Sequence, residues 1–144
     1  MCTDSAWLPD EIARGMTVAA QPIVHVEIPS TDPKAAGAFY AKVFGWQVAA
    51  PPGMDSYPMF QAAGGPGGGF ATVGEGMPGE TRAKGEVVVY LGSDDIDTDL
   101  QRIQSNGGQT LVPKTEIPGA GWFAIFRDPF GNKLALYTDN RQSS

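Results

Sequence analysis

Advancing the segment between residues 24 and 48 by 63 positions lays one half of this chain on the other. Val24 falls on Val87, Val26 on Val89, Ile28 on Leu91, Asp32 on Asp95, Gly45 on Gly108 and Val48 on Leu111. Apolar strand positions, a helix cap and a helix stop all coincide under the same shift, which marks an internal duplication of a strand-helix-three-strand unit.

In the first copy, residues 23–28 read as a strand whose period of two puts Val24, Val26 and Ile28 on one face and His25 and Glu27 on the other. Pro29 is expected to end it. Asp32 followed by Pro33 reads as a helix cap and first turn, because proline there gives up an N–H that has no partner anyway. The helix is expected to turn Ala36, Phe39, Tyr40 and Val43 toward a core and to stop by Gly45. Strands follow at 46–49, 56–62 and 69–73, separated by Pro/Gly clusters. The run GEGMPGETRAKG, residues 74–85, has no apolar period and reads as the linker between the copies.

The second copy opens with a strand at 86–91, then a helix capped by Asp95 that carries Ile96, Leu100 and Ile103 to a Gly107-Gly108 stop. Strands at 119–126 and 133–138 complete it, joined by the turn Asp128-Pro129-Phe130-Gly131-Asn132. Asp128 and Asn132 read as turn residues, with Gly131 supplying a positive φ. The glycine run 64–69 reads as a flexible hairpin, since it lacks the Lys-Ser/Thr and the following helix of a phosphate loop.

At 144 residues, with 42% of them hydrophobic, the chain is expected to form one domain. Its 19 glycines and 12 prolines suit many turns between short strands. A formal charge of −6, with no dense Lys/Arg cluster, argues against a nucleic-acid partner. The one cysteine, Cys2, provides neither a disulfide framework nor a thiolate cage, and suits a reducing cytoplasm. No apolar run approaches the ~20 residues of a membrane span, and residues 1–21 read as an N-terminal extension without the pattern of a signal peptide.

Three features together are similar to the vicinal oxygen chelate superfamily, which includes glyoxalase I, bleomycin-resistance proteins and extradiol dioxygenases. They are the spacing of His25 and Asp32, the Phe39-Tyr40 pair ahead of Phe44-Gly45-Trp46, and the closing Asp-Pro-x-Gly-Asn turn. The resemblance covers residues 22–138, leaving 139–144 as a tail, and implies an α+β fold: two tandem βαβββ units, 22–73 and 86–138, forming a cupped mixed sheet. It also implies a ligand inside the cup and, in the family's enzymes, a divalent metal that polarises vicinal oxygens of the substrate.

The resemblance places metal ligands at equivalent strand positions of both halves. His25 occupies the first; its repeat mate is Val88, the closing-strand position usually held by Glu is Ala135, and residues 68–72 offer neither carboxylate nor imidazole. One ligand of four remains, against the three protein ligands a catalytic metal generally needs. The expectation is therefore no metal and no other cofactor, and a metal-free protein binding a small organic molecule. The alternative is a divergent enzyme of lyase, isomerase or dioxygenase type using His25 as acid or base or within a metal site. His25, Glu27, Tyr57, Tyr90, Trp122 and Tyr137 are the expected ligand-binding residues, with His25 the catalytic candidate and Phe60 a further aromatic wall. Related proteins often pair, so a homodimer is expected, with a small-molecule ligand and neither nucleic acid nor membrane as partner.

Overall fold

A computed structural model describes residues 20–50, 52, 56–74 and 83–139. Each half supplies four strands and one helix. The first contains β1 (Ile23–Ser30), α1 (Pro33–Phe44), β2 (Gln47–Ala49), β3 (Met59–Gln61) and β4 (Gly68–Thr72). The second contains β5 (Val88–Gly92), α2 (Ile96–Ser105), β6 (Gln109–Ile117), β7 (Gly121–Arg127) and β8 (Lys133–Asp139). The duplicated caps behave alike. Asp32 accepts from the Ala35 N–H at 3.1 Å and Asp95 from the Thr98 N–H at 3.1 Å, each satisfying a donor that the first helical turn leaves without a partner. Gly45 closes α1 at φ 74°, and its N–H donates to the Ala41 carbonyl.

All eight strands join one curved open sheet in the order β2-β3-β4-β1-β5-β8-β7-β6. Within each half the first and last strands run parallel, β1 with β4 and β5 with β8. The halves meet through the antiparallel β1–β5 pair, where His25 lies opposite Tyr90 and Glu27 opposite Val88. That register is the signature of a local twofold relation in which His25 exchanges with Val88 and Glu27 with Tyr90.

The helix side of the second half is packed by Ile96, Leu100, Ala124, Phe126 and Leu136. In the first half the corresponding layer is aromatic. Trp46 stacks on Phe60 at 4.3 Å and on Tyr40 at 5.0 Å, and Tyr40 stacks on Phe70 at 5.5 Å.

Several local expectations need correction. β1 does not end at Pro29: it continues to Ser30, with Pro29 opposite Ala71 on the parallel partner strand. Phe39 and Val43 do not face the core. Each is 54% exposed, while Gly37 is the residue of α1 buried against the sheet, close to Val48. β3 is confined to Met59–Gln61, so Tyr57 lies ahead of it, outside the ladder. Gln21, the last residue of the expected extension, is tied to the second half: its side-chain amide donates to the Gly92 carbonyl at 2.8 Å and to Asp99 at 2.9 Å. The rest of the expected extension, residues 1–19, and positions 140–144 of the expected tail lie outside the described residues. No helix among the described residues is long and apolar enough to cross a membrane.

Candidate functional site

The concave side of the sheet differs between the halves. In the second half it is filled by its own side chains: Val88, Tyr90, Val112, Phe123, Ile125 and Ala135 form one buried cluster. Tyr137 packs on its edge, and its hydroxyl donates to the Ala120 carbonyl at 2.8 Å. In the first half the same side carries polar groups. An open cleft of about 400 Å³ lies there, and its lining includes His25, Gln47, Ala49, Met59, Gln61 and Gly67. Gln47 and Gln61 are opposite each other on β2 and β3. None of the described residues that line the cleft is Lys, Arg, Asp or Glu.

His25 belongs to a hydrogen-bonded chain beneath this cleft. The Glu27 side chain, on the same face of β1, is 3% exposed. It accepts from the Tyr57 hydroxyl at 3.0 Å and from the Tyr90 hydroxyl at 3.3 Å, both at Oε1. The Tyr57 oxygen in turn lies 2.8 Å from His25 Nε2. The Tyr57 ring is nearly parallel to the imidazole, with centroids 6.2 Å apart, and Tyr90 meets the imidazole edge-on at 5.1 Å. Burial among these rings lowers the pKa of His25 from its ordinary 6.5, and the Glu27 charge partly opposes that shift.

The strand register also locates the fourth of the positions at which the resemblance implies metal ligands. Gly69 is opposite Glu27 on β4, as Ala135 is opposite Tyr90 on β8, so Gly69 and Ala135 are repeat mates. The quartet is therefore His25, Gly69, Val88 and Ala135. The space above Gly69 belongs to Tyr57: a β-carbon at Gly69 would collide with Cε2 and Cζ of that ring. Among the described residues no group of three His, Cys, Asp or Glu side chains is placed to hold a metal ion.

Of the residues expected at the site, His25, Glu27, Tyr57 and Tyr90 come together, and Tyr137 lies farther along the same concave face. Trp122 does not belong with them. It packs against the cluster on the α2 side, with the Lys114 ammonium 4.9 Å from its ring centre. Phe60 does line the cleft, while its ring also stacks into the aromatic layer on the helix side. Gln47, Gln61 and Met59 were missed as lining residues. The signal available in sequence was alternation on two short strands, where Gln47 and Gln61 flank or follow inward-facing Val48 and Phe60.

Two βαβββ units sharing one curved sheet, with a cleft on its concave face, define a paired-module fold of the glyoxalase type. The family profile described as "Glyoxalase/Bleomycin resistance protein/Dioxygenase superfamily" matches residues 22–136, and the chain belongs to that superfamily. It is 31% identical over 129 residues to "Putative glyoxylase CFP32" of Mycobacterium tuberculosis, covering 81% of this chain and 45% of that protein. It is 27% identical over 132 residues to "Anthracycline biosynthesis protein DnrV" of Streptomyces peucetius, covering 77% of this chain and 44% of that protein. The chain thus spans less than half the length of these relatives. Among solved structures, methylmalonyl-CoA epimerase from Mycobacterium tuberculosis superposes with a TM-score of 0.61 at 16% identity, over 88% of this chain and 95% of that one. The Mn(II)-bound glyoxalase from Novosphingobium aromaticivorans gives 0.56 at 19% identity, over 83% and 40% respectively. At these identities the likeness concerns the fold.

Proposed function

We propose that the chain is a metal-free binding member of this superfamily, taking an uncharged small organic molecule in the cleft beside His25. The observation that carries this reading is the fate of the quartet. Gly69, Val88 and Ala135 offer no donor side chain, and the tyrosine seated over Gly69 engages both His25 and Glu27. Two side chains already committed to a hydroxyl make a poor substitute for the three ligands of a catalytic metal. The cleft instead offers two carboxamides and an imidazole set among Met59, Ala49 and Val24. Such a surface suits a ligand with carbonyl and hydroxyl groups and an apolar body. That one relative is named an anthracycline biosynthesis protein supports choosing flat, oxygen-bearing molecules as candidate ligands.

The test is thermal shift with a panel of uncharged phenols and ketones, 1-hydroxyanthraquinone among them, against carboxylate counterparts of the same size. Binding at ~100 times Kd stabilises the folded state by ~2.7 kcal/mol. The expected result is stabilisation by uncharged compounds that survives EDTA and weakens in Gln61→Ala. Preference for the carboxylates, or stabilisation only with added divalent ion, would overturn the reading.

The lowered pKa of His25 favours a second reading, in which the neutral imidazole removes a proton from the bound molecule. Turnover that survives chelation and is lost in His25→Gln would establish it. We further propose a homodimer, supported by Phe39, Val43 and Phe44 exposed together on α1, and measured by light scattering on the eluting protein. A cytoplasmic location is proposed on the single cysteine, with fractionation as its check.

A further inference from the structure

We infer that Gly69 and Tyr57 are positioning residues that hold His25 with its proton on Nε2 and leave Nδ1 as the acceptor offered to the cleft. The inference rests on the reading of the cleft as a binding site and specifies the ligand: a molecule presenting a hydroxyl or N–H donor to an imidazole nitrogen. The steps follow from counting protons. A carboxylate only accepts, so the single Tyr57 hydroxyl proton is directed at Glu27 Oε1, 3.0 Å away. The Tyr57 oxygen is then the acceptor in its 2.8 Å contact with His25, and Nε2 must donate. Among the described residues Nδ1 has no hydrogen-bond partner, and His25 lines the cleft.

Gly69 sets this chain up through its missing side chain. Its φ is not in the left-handed region, so nothing in the backbone demands glycine there. The demand comes from Tyr57, whose Cε2 and Cζ occupy the volume a β-carbon would take. Gly68, next to it, differs: a β-carbon there would meet the Val26 carbonyl, which the strand pairing holds in place. Gly69→Ala therefore displaces a side chain, whereas Gly68→Ala would strike the sheet itself.

His25 is the only histidine in the chain, so imidazole signals need no assignment. The experiment is nitrogen-correlated proton NMR of the free, uniformly labelled full chain near neutral pH. The expected result is one downfield N–H proton, attached to Nε2 and protected from solvent exchange, with Nδ1 showing the shift of an unprotonated nitrogen. Tyr57→Phe and Gly69→Ala should each lose that proton signal to exchange while the backbone amide spectrum away from the site is retained. Tyr57→Phe keeps the ring and carries the test if Gly69→Ala folds poorly. A proton on Nδ1 with Nε2 bare would mean the chain runs the other way, from a protonated Glu27, and would overturn the inference. So would the absence of a protected Nε2 proton in the unmodified protein, or its persistence in Tyr57→Phe. Because no ligand is added, these outcomes stay separate from success or failure in the thermal-shift panel.

Discussion

Removing the Tyr57 hydroxyl should cost different amounts depending on whether residue 27 carries a charge. In the native protein Tyr57→Phe breaks a charge-assisted bond to Glu27 at 3.0 Å, worth ~2 kcal/mol, and a neutral bond to His25 at 2.8 Å, worth ~1 kcal/mol. A total loss of ~3 kcal/mol follows. In a Glu27→Gln background the first bond becomes neutral and worth ~1 kcal/mol, so the same change costs only ~2 kcal/mol. The double-mutant cycle should therefore show a coupling of ~1 kcal/mol between positions 27 and 57, measured as equilibrium urea unfolding of the four proteins. Additivity within ~0.3 kcal/mol would mean that the carboxylate is not the acceptor of the Tyr57 proton, and the proton order inferred for the site would fail with it.

Other outcomes follow from the same contacts. Since the folded state holds the His25 pKa below 6.5, it binds fewer protons than the unfolded chain just under that pH; stability from this group is full above 6.5 and declines as pH falls through the lowered folded value. Urea midpoints should drop between pH 7.5 and 5.5 in the native protein and change less in His25→Asn. Gly68→Ala should abolish cooperative folding or cost more than ~3 kcal/mol, because the new methyl meets the Val26 carbonyl, while Gly65→Ala, with open space around it, should be nearly silent in a thermal melt. Asp32→Ala should cost ~1 kcal/mol through loss of the cap on α1, read from the same melts.

The duplication made most of the fold legible, because a shift that aligns strand faces and caps also fixes which strands are equivalent. The direction of His25 and Glu27 followed from alternation on β1, whose other face is apolar. Trp122 failed for the converse reason. On β7 both sets of residues, Trp122, Ala124 and Phe126 on one side and Phe123 and Ile125 on the other, are apolar, so a strand packed on both faces leaves no pattern to say which faces the cup. Phe39 and Val43 show that an apolar helix stripe need not face inward: α1 meets the sheet through Gly37, where small size permits close approach, and through the Tyr40 ring stacked on Phe70. The role of Tyr57 was out of reach for sequence alone. It depends on a residue outside the strands folding back over a glycine opposite Glu27, a relation set by register and by the volume of one missing methyl group.

We propose that this cup takes its ligand without a metal, and elemental analysis of the purified protein after incubation with zinc, nickel, manganese and iron and then desalting decides the matter. No ion should be retained near one per chain, in the native protein and in His25→Ala alike. Near-stoichiometric retention that disappears in His25→Ala would contradict it, and would mean that Glu27 or a residue outside the quartet completes a site around His25.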